Sequence, residues 1–482
     1  MAGPGTAPGA TDQTGYDRVR YPSGVYAPSD PSRLAALARI HGLAAPDPAT
    51  ARVLEIAGGD GANVIAMAAA LPRAQFASFD LAPSAVADGQ AQAAAAGLTN
   101  VRVFVGDVIE CAETLTGPFD YIIAHGLYAW VPEPVRVATM RLIGRLLSEH
   151  GVGFVSYNAL PGCYLRMAVR AMLLHHVRDE ADPARRLALA RECLAGFAMA
   201  RPGDRPALAG LRSVAEAMLN KTDAVLFHDE LGESYAPQLL TDVVDAAAAQ
   251  GLAYLNDAYP PMIRDGLPGL HVAEADVVAL AQADDFAVSV FFHRTLLVRA
   301  GRNPARGVVA AHFAGLFATT VLRPEPTAEA PGRFVAGEQS IEIDDPRLAE
   351  ILTTMGKVAP WRLPIDALAN SDDHCNALVE LCERDLVVFH AAQLPAVSAP
   401  GPYPRTSALM RAQLAQGLAV AHSLDLRVVG LDDPGVRHFI GLLDGTRDRA
   451  ALDRDWMACA WAETISTTDA LDRMARAGML VA

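Results

Sequence analysis

The stretch Arg52-Val-Leu-Glu-Ile-Ala-Gly-Gly-Asp-Gly-Ala-Asn63 decides how this chain is read. Residues 52–57 form an apolar run that reads as a buried strand carrying one acid, Glu55. Gly58, Gly59 and Gly61 make a turn, and residues 62–71 begin a helix. A strand, glycine turn and helix bring backbone N–H groups close to a ligand with no Cβ in the way. The next apolar run, 75–80, ends in Asp80, an acid at a strand tip that can accept hydrogen bonds from a ribose. Together these features predict a nucleoside-binding site.

The spacing says which nucleoside. A dinucleotide fingerprint counted from Gly59 requires a third glycine at position 64, which is Val64. The pattern acid-x-Gly-x-Gly-x-Gly fits better as Glu55, Ala57, Gly59 and Gly61, with a small alanine in the first glycine position. That pattern points to S-adenosylmethionine (SAM) rather than NAD. Asp107, after a third apolar run, adds to it. Other readings stay open: a generic glycine loop, Asp80 and Asp107 as helix caps, an NAD-dependent oxidoreductase, or a SAM-binding regulatory or interaction protein without turnover, for which Ala57 is the hint.

Around this stretch the chain alternates. Apolar runs at 52–57, 75–80, 101–105, 119–124 and 151–157 read as strands, and 62–71, 83–96 and 134–147 as helices. Pro83 and Pro134 suit first-turn positions. The alternation predicts an α/β fold, a Rossmann-like, largely parallel sheet with ligands beyond the carboxyl ends of its strands. Gly59, Asp80, Asp107 and His125 fall at such ends. The expected domains are a flexible tail over 1–15, a SAM-binding domain with its leader over 16–160, and a helical middle domain over 161–305. A linker over 306–333 and a winged-helix-like α+β domain over 334–482 complete the expectation.

Composition narrows the function classes. With 40 basic against 55 acidic residues the net charge is −15, which argues against nucleic acid as partner. No apolar run reaches membrane-spanning length, and the start lacks a secretory pattern. Six scattered cysteines with no C-x-x-C pair read as reduced thiols in a cytoplasm. His374-Cys375 and His175-His176 lack a third ligand at useful spacing, so no metal is expected. A homodimer is left open.

The leader Tyr16-Asp-Arg-Val-Arg-Tyr-Pro-Ser23 with Asp30-Pro-Ser-Arg-Leu34 resembles the start of one class I methyltransferase family. That family carries a methyltransferase regulatory domain after the catalytic one and includes the rickettsial protein-lysine methyltransferases. Phe119-Asp-Tyr-Ile-Ile-Ala-His-Gly126, Val155-Ser-Tyr-Asn158, Phe227-His-Asp-Glu-Leu231, Arg294-Thr-Leu-Leu297 and Leu443-Asp-Gly-Thr-Arg447 carry the likeness along the chain. The family's turn commonly reads Glu-Leu-Gly-Cys-Gly-Asp-Gly, so Ala57 departs from it. The resemblance implies that Gly59, Asp60 and Gly61 line the methionine part of SAM through backbone groups, with Glu55 supporting the turn. It further implies Asp80 on the ribose, Leu81 against the adenine, Asp107 on the adenine amino group and Val108 over the ring. His125 is expected to hold SAM or act as a base. Tyr157 and Asn158 are placed similarly, and Tyr16, Tyr21, Tyr128 and Trp130 are candidates for an aromatic wall around a protein, peptide or small-molecule acceptor.

Overall fold

Seven strands between residues 52 and 299 form one sheet: β1 Arg52–Ile56, β2 Gln75–Asp80, β3 Val101–Val105, β4 Phe119–Ala124, β5 Leu147–Asn158, β6 Leu252–Asp257 and β7 Phe292–Arg299. The computed structural model describes residues 19–22, 24–199, 206–258, 276–325, 332–459, 461 and 465–481. The strand order is β3-β2-β1-β4-β5-β7-β6. β1 to β5 pair in parallel, and β7 runs antiparallel between β5 and β6. The carboxyl ends of β1 to β6 and the amino end of β7 therefore share one edge.

Alternation along the strands feeds two cores. Val53, Tyr121, Phe154 and Leu296 pack with Val64 and Ile65 on one face. Leu54, Ile56, Ile122 and Leu297 pack with Leu142 and Ile143 on the other. Both faces are covered, as a parallel sheet requires.

The boundary expected at 160 differs from the structure. The chain leaves the sheet after Asn158, builds a helical insertion around Val169, Leu173, Leu194, Met218 and Leu226, and returns as β6 and β7. The apolar residues of Leu252-Ala-Tyr-Leu255 fit a helix as well as a strand, so the run reads as a continuation of the helix Leu240–Ala248 before it.

The linker expected over 306–333 also differs. Phe313, Leu316, Ala318 and Leu322 are buried, and Phe317–Thr320 pairs with both Leu363–Pro364 and Val387–His390. This core includes the helices Pro346–Val358 and Asp372–Glu383. A second core, around Phe439, Ile440, Leu452, Trp456 and Leu471, occupies the end of the chain, so the block from 334 holds two packed centres. The helix Pro31–Ile40 joins the parts: Leu34 and Ala38 face the sheet core, while Ala36 and Ile40 face residues 313–389. The expected tail over 1–15, together with Tyr16, lies outside the described residues.

Candidate cofactor and acceptor site

The chain turns sharply after Ile56. Ala57, Gly59 and Gly61 all take positive φ, at 54°, 60° and 70°. Glycine adopts that geometry without penalty, and alanine does so at a cost of about 1–2 kcal/mol. Gly58 is required for space instead: a Cβ there would lie 2.3 Å from Ser78 Oγ and 2.6 Å from Glu55 Oε2. Gly61 caps the helix Ala62–Ala70, and the Asp60 carboxylate accepts from the Ala62 amide at 3.0 Å. The result is a backbone cradle opening onto a helix N-terminus.

Two acids hold this cradle. Asp80 accepts from the Gly59 amide at 2.8 Å and from the Ala82 amide at 2.9 Å. Burial pushes its carboxyl above the usual range, against the pull of those amides. Each oxygen keeps lone-pair capacity for a ribose hydroxyl. Glu55 is buried, accepts from Asn63 Nδ2 at 2.7 Å, and is pushed up to about 7 by desolvation. Its other oxygen, Oε2, and the nearby Ser78 Oγ are both buried with no hydrogen-bond partner. Two orphaned oxygens packed against Gly58, the one position of the turn with no room for a Cβ, fit a polar ligand carrying donor groups.

Asp107 caps the helix Val108–Thr114, accepting from the Ile109 amide at 2.7 Å and from the Glu110 amide at 3.3 Å. Leu81 is 55% exposed, whereas Val108 is buried.

His125 follows β4 at the same edge. Its Nδ1 lies 2.8 Å from Ser156 Oγ, and that oxygen accepts from the Gly126 amide at 2.9 Å. Tyr26 of the leader stacks on its ring, with centroids 3.6 Å apart and planes 14° apart. Burial first, then Arg294, lowers the imidazole to about 4, so the ring is neutral near pH 7.

Tyr157 lies elsewhere: it is 1% exposed and its hydroxyl meets Thr295 Oγ1 at 2.9 Å across the β5–β7 pair. Asn158 is buried beside it, its carbonyl accepting from the Gln238 amide at 3.0 Å. The aromatic residues are likewise spread out. Tyr21 is exposed and donates to Asp229 at 3.3 Å, while Tyr128 is buried. Trp130 packs on Tyr235 at 4.7 Å, and Arg166 lies 5.0 Å from each of these two rings.

Several site residues escape a reading of the sequence. Asn63 links Glu55 to the Ser29 hydroxyl and the Tyr26 amide; its signal is a lone amide side chain in the apolar run Ala-Asn-Val-Ile-Ala-Met. Ser156 and Arg294 sit inside stretches that carry the family likeness, and Tyr26 has no local signal.

Residues 53–151 match the sequence profile of a methyltransferase domain. The chain thus carries a methyltransferase domain over residues 53–151. Over nearly its whole length it shares the fold of PKMT2 from Rickettsia typhi: TM-score 0.81, 21% identity, 96% of this chain and 100% of that one covered. The structure of the same protein in complex with AdoHcy aligns with a TM-score of 0.78 at 20% identity, over 96% of this chain and 100% of that one. In sequence, RP789 of Rickettsia prowazekii is 30% identical over 296 residues, 59% of this chain and 53% of that protein. RP028 of the same organism is 29% identical over 224 residues, 46% of this chain and 89% of that protein. The match therefore spans about half the length of RP789.

Proposed function

We propose that this chain transfers a methyl group from SAM to a lysine amine of a protein acceptor. The observation that carries the reading is the glycine cradle fastened to Asp80 at the carboxyl edge of the sheet. In this reading the backbone of Ala57, Gly59, Asp60 and Gly61 lines the methionine part, with Glu55 behind it. Asp80 grips the ribose, Leu81 and Val108 flank the adenine, and the outer Asp107 oxygen takes the adenine amino group. When bound, SAM supplies an electrophilic methyl group with a good leaving group, so alignment dominates the barrier.

A lysine acceptor must enter as the neutral amine, since its unperturbed pKa is near 10.4. The protein side of the chemistry is therefore desolvation and orientation. A neutral His125 at the strand edge suits accepting an N–H hydrogen bond from the amine better than storing a proton. Tyr157 and Asn158 fasten the end of β5 through Thr295 and Gln238. The lysine specificity is supported by the shared architecture with PKMT2 and by the family likeness of residues 119–126, 155–158 and 227–231.

Incubation with tritiated SAM and a lysine-containing peptide, followed by mass spectrometry, tests the proposal. Addition of methyl groups to lysine supports it. Binding of SAM with no label transferred to any protein or peptide fraction replaces it with a SAM-binding regulatory role.

A further inference from the structure

Three separate pieces of chain converge on His125. The leader supplies Tyr26, stacked on the ring at 3.6 Å. The reversed strand β7 supplies Arg294, whose Nε donates to the Tyr26 hydroxyl at 2.5 Å. β5 supplies Ser156 on Nδ1, with Phe154 at 6.4 Å. Arg294 is itself held: its amide donates to Asp257 Oδ2 at 2.7 Å, and its guanidinium lies over the Phe292 ring at 5.0 Å. Anchoring of the leader does not require this arrangement. Tyr26 is already pinned through its amide on Asn63, and Asp30 caps the next helix.

We propose that Tyr26 and Arg294 are positioning residues that fix the plane of His125, so that, with Nδ1–H given to Ser156, the Nε2 lone pair faces the methyl acceptor. The inference rests on the methyltransferase reading and adds two residues to it. Ser156 Oγ accepts from the Gly126 amide and has a second lone pair for Nδ1–H. An acceptor amine that has lost its proton to water donates an N–H to Nε2, which turns its own lone pair toward the methyl group. No proton changes hands at His125. Arg294 is the charged group that bears on the ring, and with burial it keeps the ring neutral. Asp257 and Arg33 bear on the Tyr26 hydroxyl.

The test uses the full chain in four variants: Tyr26→Phe, Tyr26→Ala, Arg294→Lys and Arg294→Met. Three quantities are read: the His125 titration by NMR, the affinity for S-adenosylhomocysteine (SAH) by calorimetry, and single-turnover methylation of a lysine-containing peptide. Tyr26→Ala is expected to slow the chemical step by about tenfold to a hundredfold, with SAH affinity held within about threefold. Tyr26→Phe keeps the stack and is expected to retain most of the rate. Arg294→Met is expected to raise the His125 titration by the smaller share that Arg294 contributes beside burial, and Arg294→Lys to restore it in part. The proposal is overturned if Tyr26→Ala and Arg294→Met leave the titration and the rate unchanged. It is also overturned if rate and SAH affinity fall in parallel, which marks a cofactor or folding role. A wild-type chain that binds SAH but methylates no peptide contradicts the methyltransferase reading, and the titration arm still decides whether Tyr26 and Arg294 hold the ring.

Discussion

The Gly59 amide donates a hydrogen bond to the Asp80 carboxylate at 2.8 Å, tying the first turn of the sheet to the tip of its second strand. One side chain shapes the backbone cradle, and in the proposed reading its remaining lone pairs take a ribose. Hydrogen bonds to a charged group are each worth about 1.5–3 kcal/mol. Asp80→Asn, which keeps an acceptor oxygen but loses the charge, is expected to weaken SAH binding by about tenfold or more. Titration calorimetry checks this, and an unchanged affinity would place the ribose elsewhere.

Ala57 is the only departure from glycine in a turn where φ is positive, at 54°. Ala57→Gly relieves that backbone cost and is expected to raise stability by about 0.5–1 kcal/mol, with SAH affinity equal or higher. Thermal unfolding with and without SAH reads both effects. A lower unfolding temperature for the variant contradicts the assignment of strain.

Glu55 gives the cradle a pH dependence. Its folded carboxyl is raised by burial from 4.5 to about 7, so the folded state holds a proton that the unfolded chain releases. The stability from this group is complete below about 4.5 and is lost as pH rises through about 7. In Glu55→Gln that loss disappears, so the stability difference between variant and wild type grows from about pH 5 to about pH 8. Denaturant titrations at the two pH values measure it, and a pH-independent difference rules the ionisation out.

His293 has the same sign at higher pH. Burial alone would depress this imidazole, but hydrogen bonds to Asp257 at 2.8 Å and Asp285 at 2.9 Å outweigh it and raise it to about 9. Its contribution is complete below 6.5 and fades as pH rises through about 9. His293→Gln removes the cation held between two buried carboxylates and is expected to cost about 3–5 kcal/mol near neutral pH, and less above pH 9. Urea unfolding across that range is the check.

The glycine turn and its acid were legible in sequence because their constraints are local. The positive φ at Gly59 and Gly61 and the acid that ends the Gln75–Asp80 run each follow from a few adjacent residues. The surroundings of His125 were not, because its partners are brought together by topology. Tyr26 meets His125 and Arg294 only because a leader residue, the end of β4 and the start of an antiparallel strand share one edge. Tyr157 reads as an edge residue from its place on β5, yet the neighbouring β7 covers it and takes its hydroxyl. The expected boundary at 160 failed for a related reason: a helical insertion parts β5 from the two strands that complete the sheet.

Asp107 separates two roles by substitution. Asp107→Ser keeps an N-cap side chain, so stability is expected to change by less than about 1 kcal/mol. The carboxylate is lost, and SAH affinity is expected to fall several-fold if the group also reads the adenine. Equal affinity in the two chains would leave Asp107 as a cap alone.

The most direct measurement is calorimetric titration of the full chain with SAH, run beside Asp80→Ala. The account predicts binding at one site in the wild-type chain and no measurable heat in the variant. Silence from the wild-type chain, or undiminished binding by the variant, would contradict it.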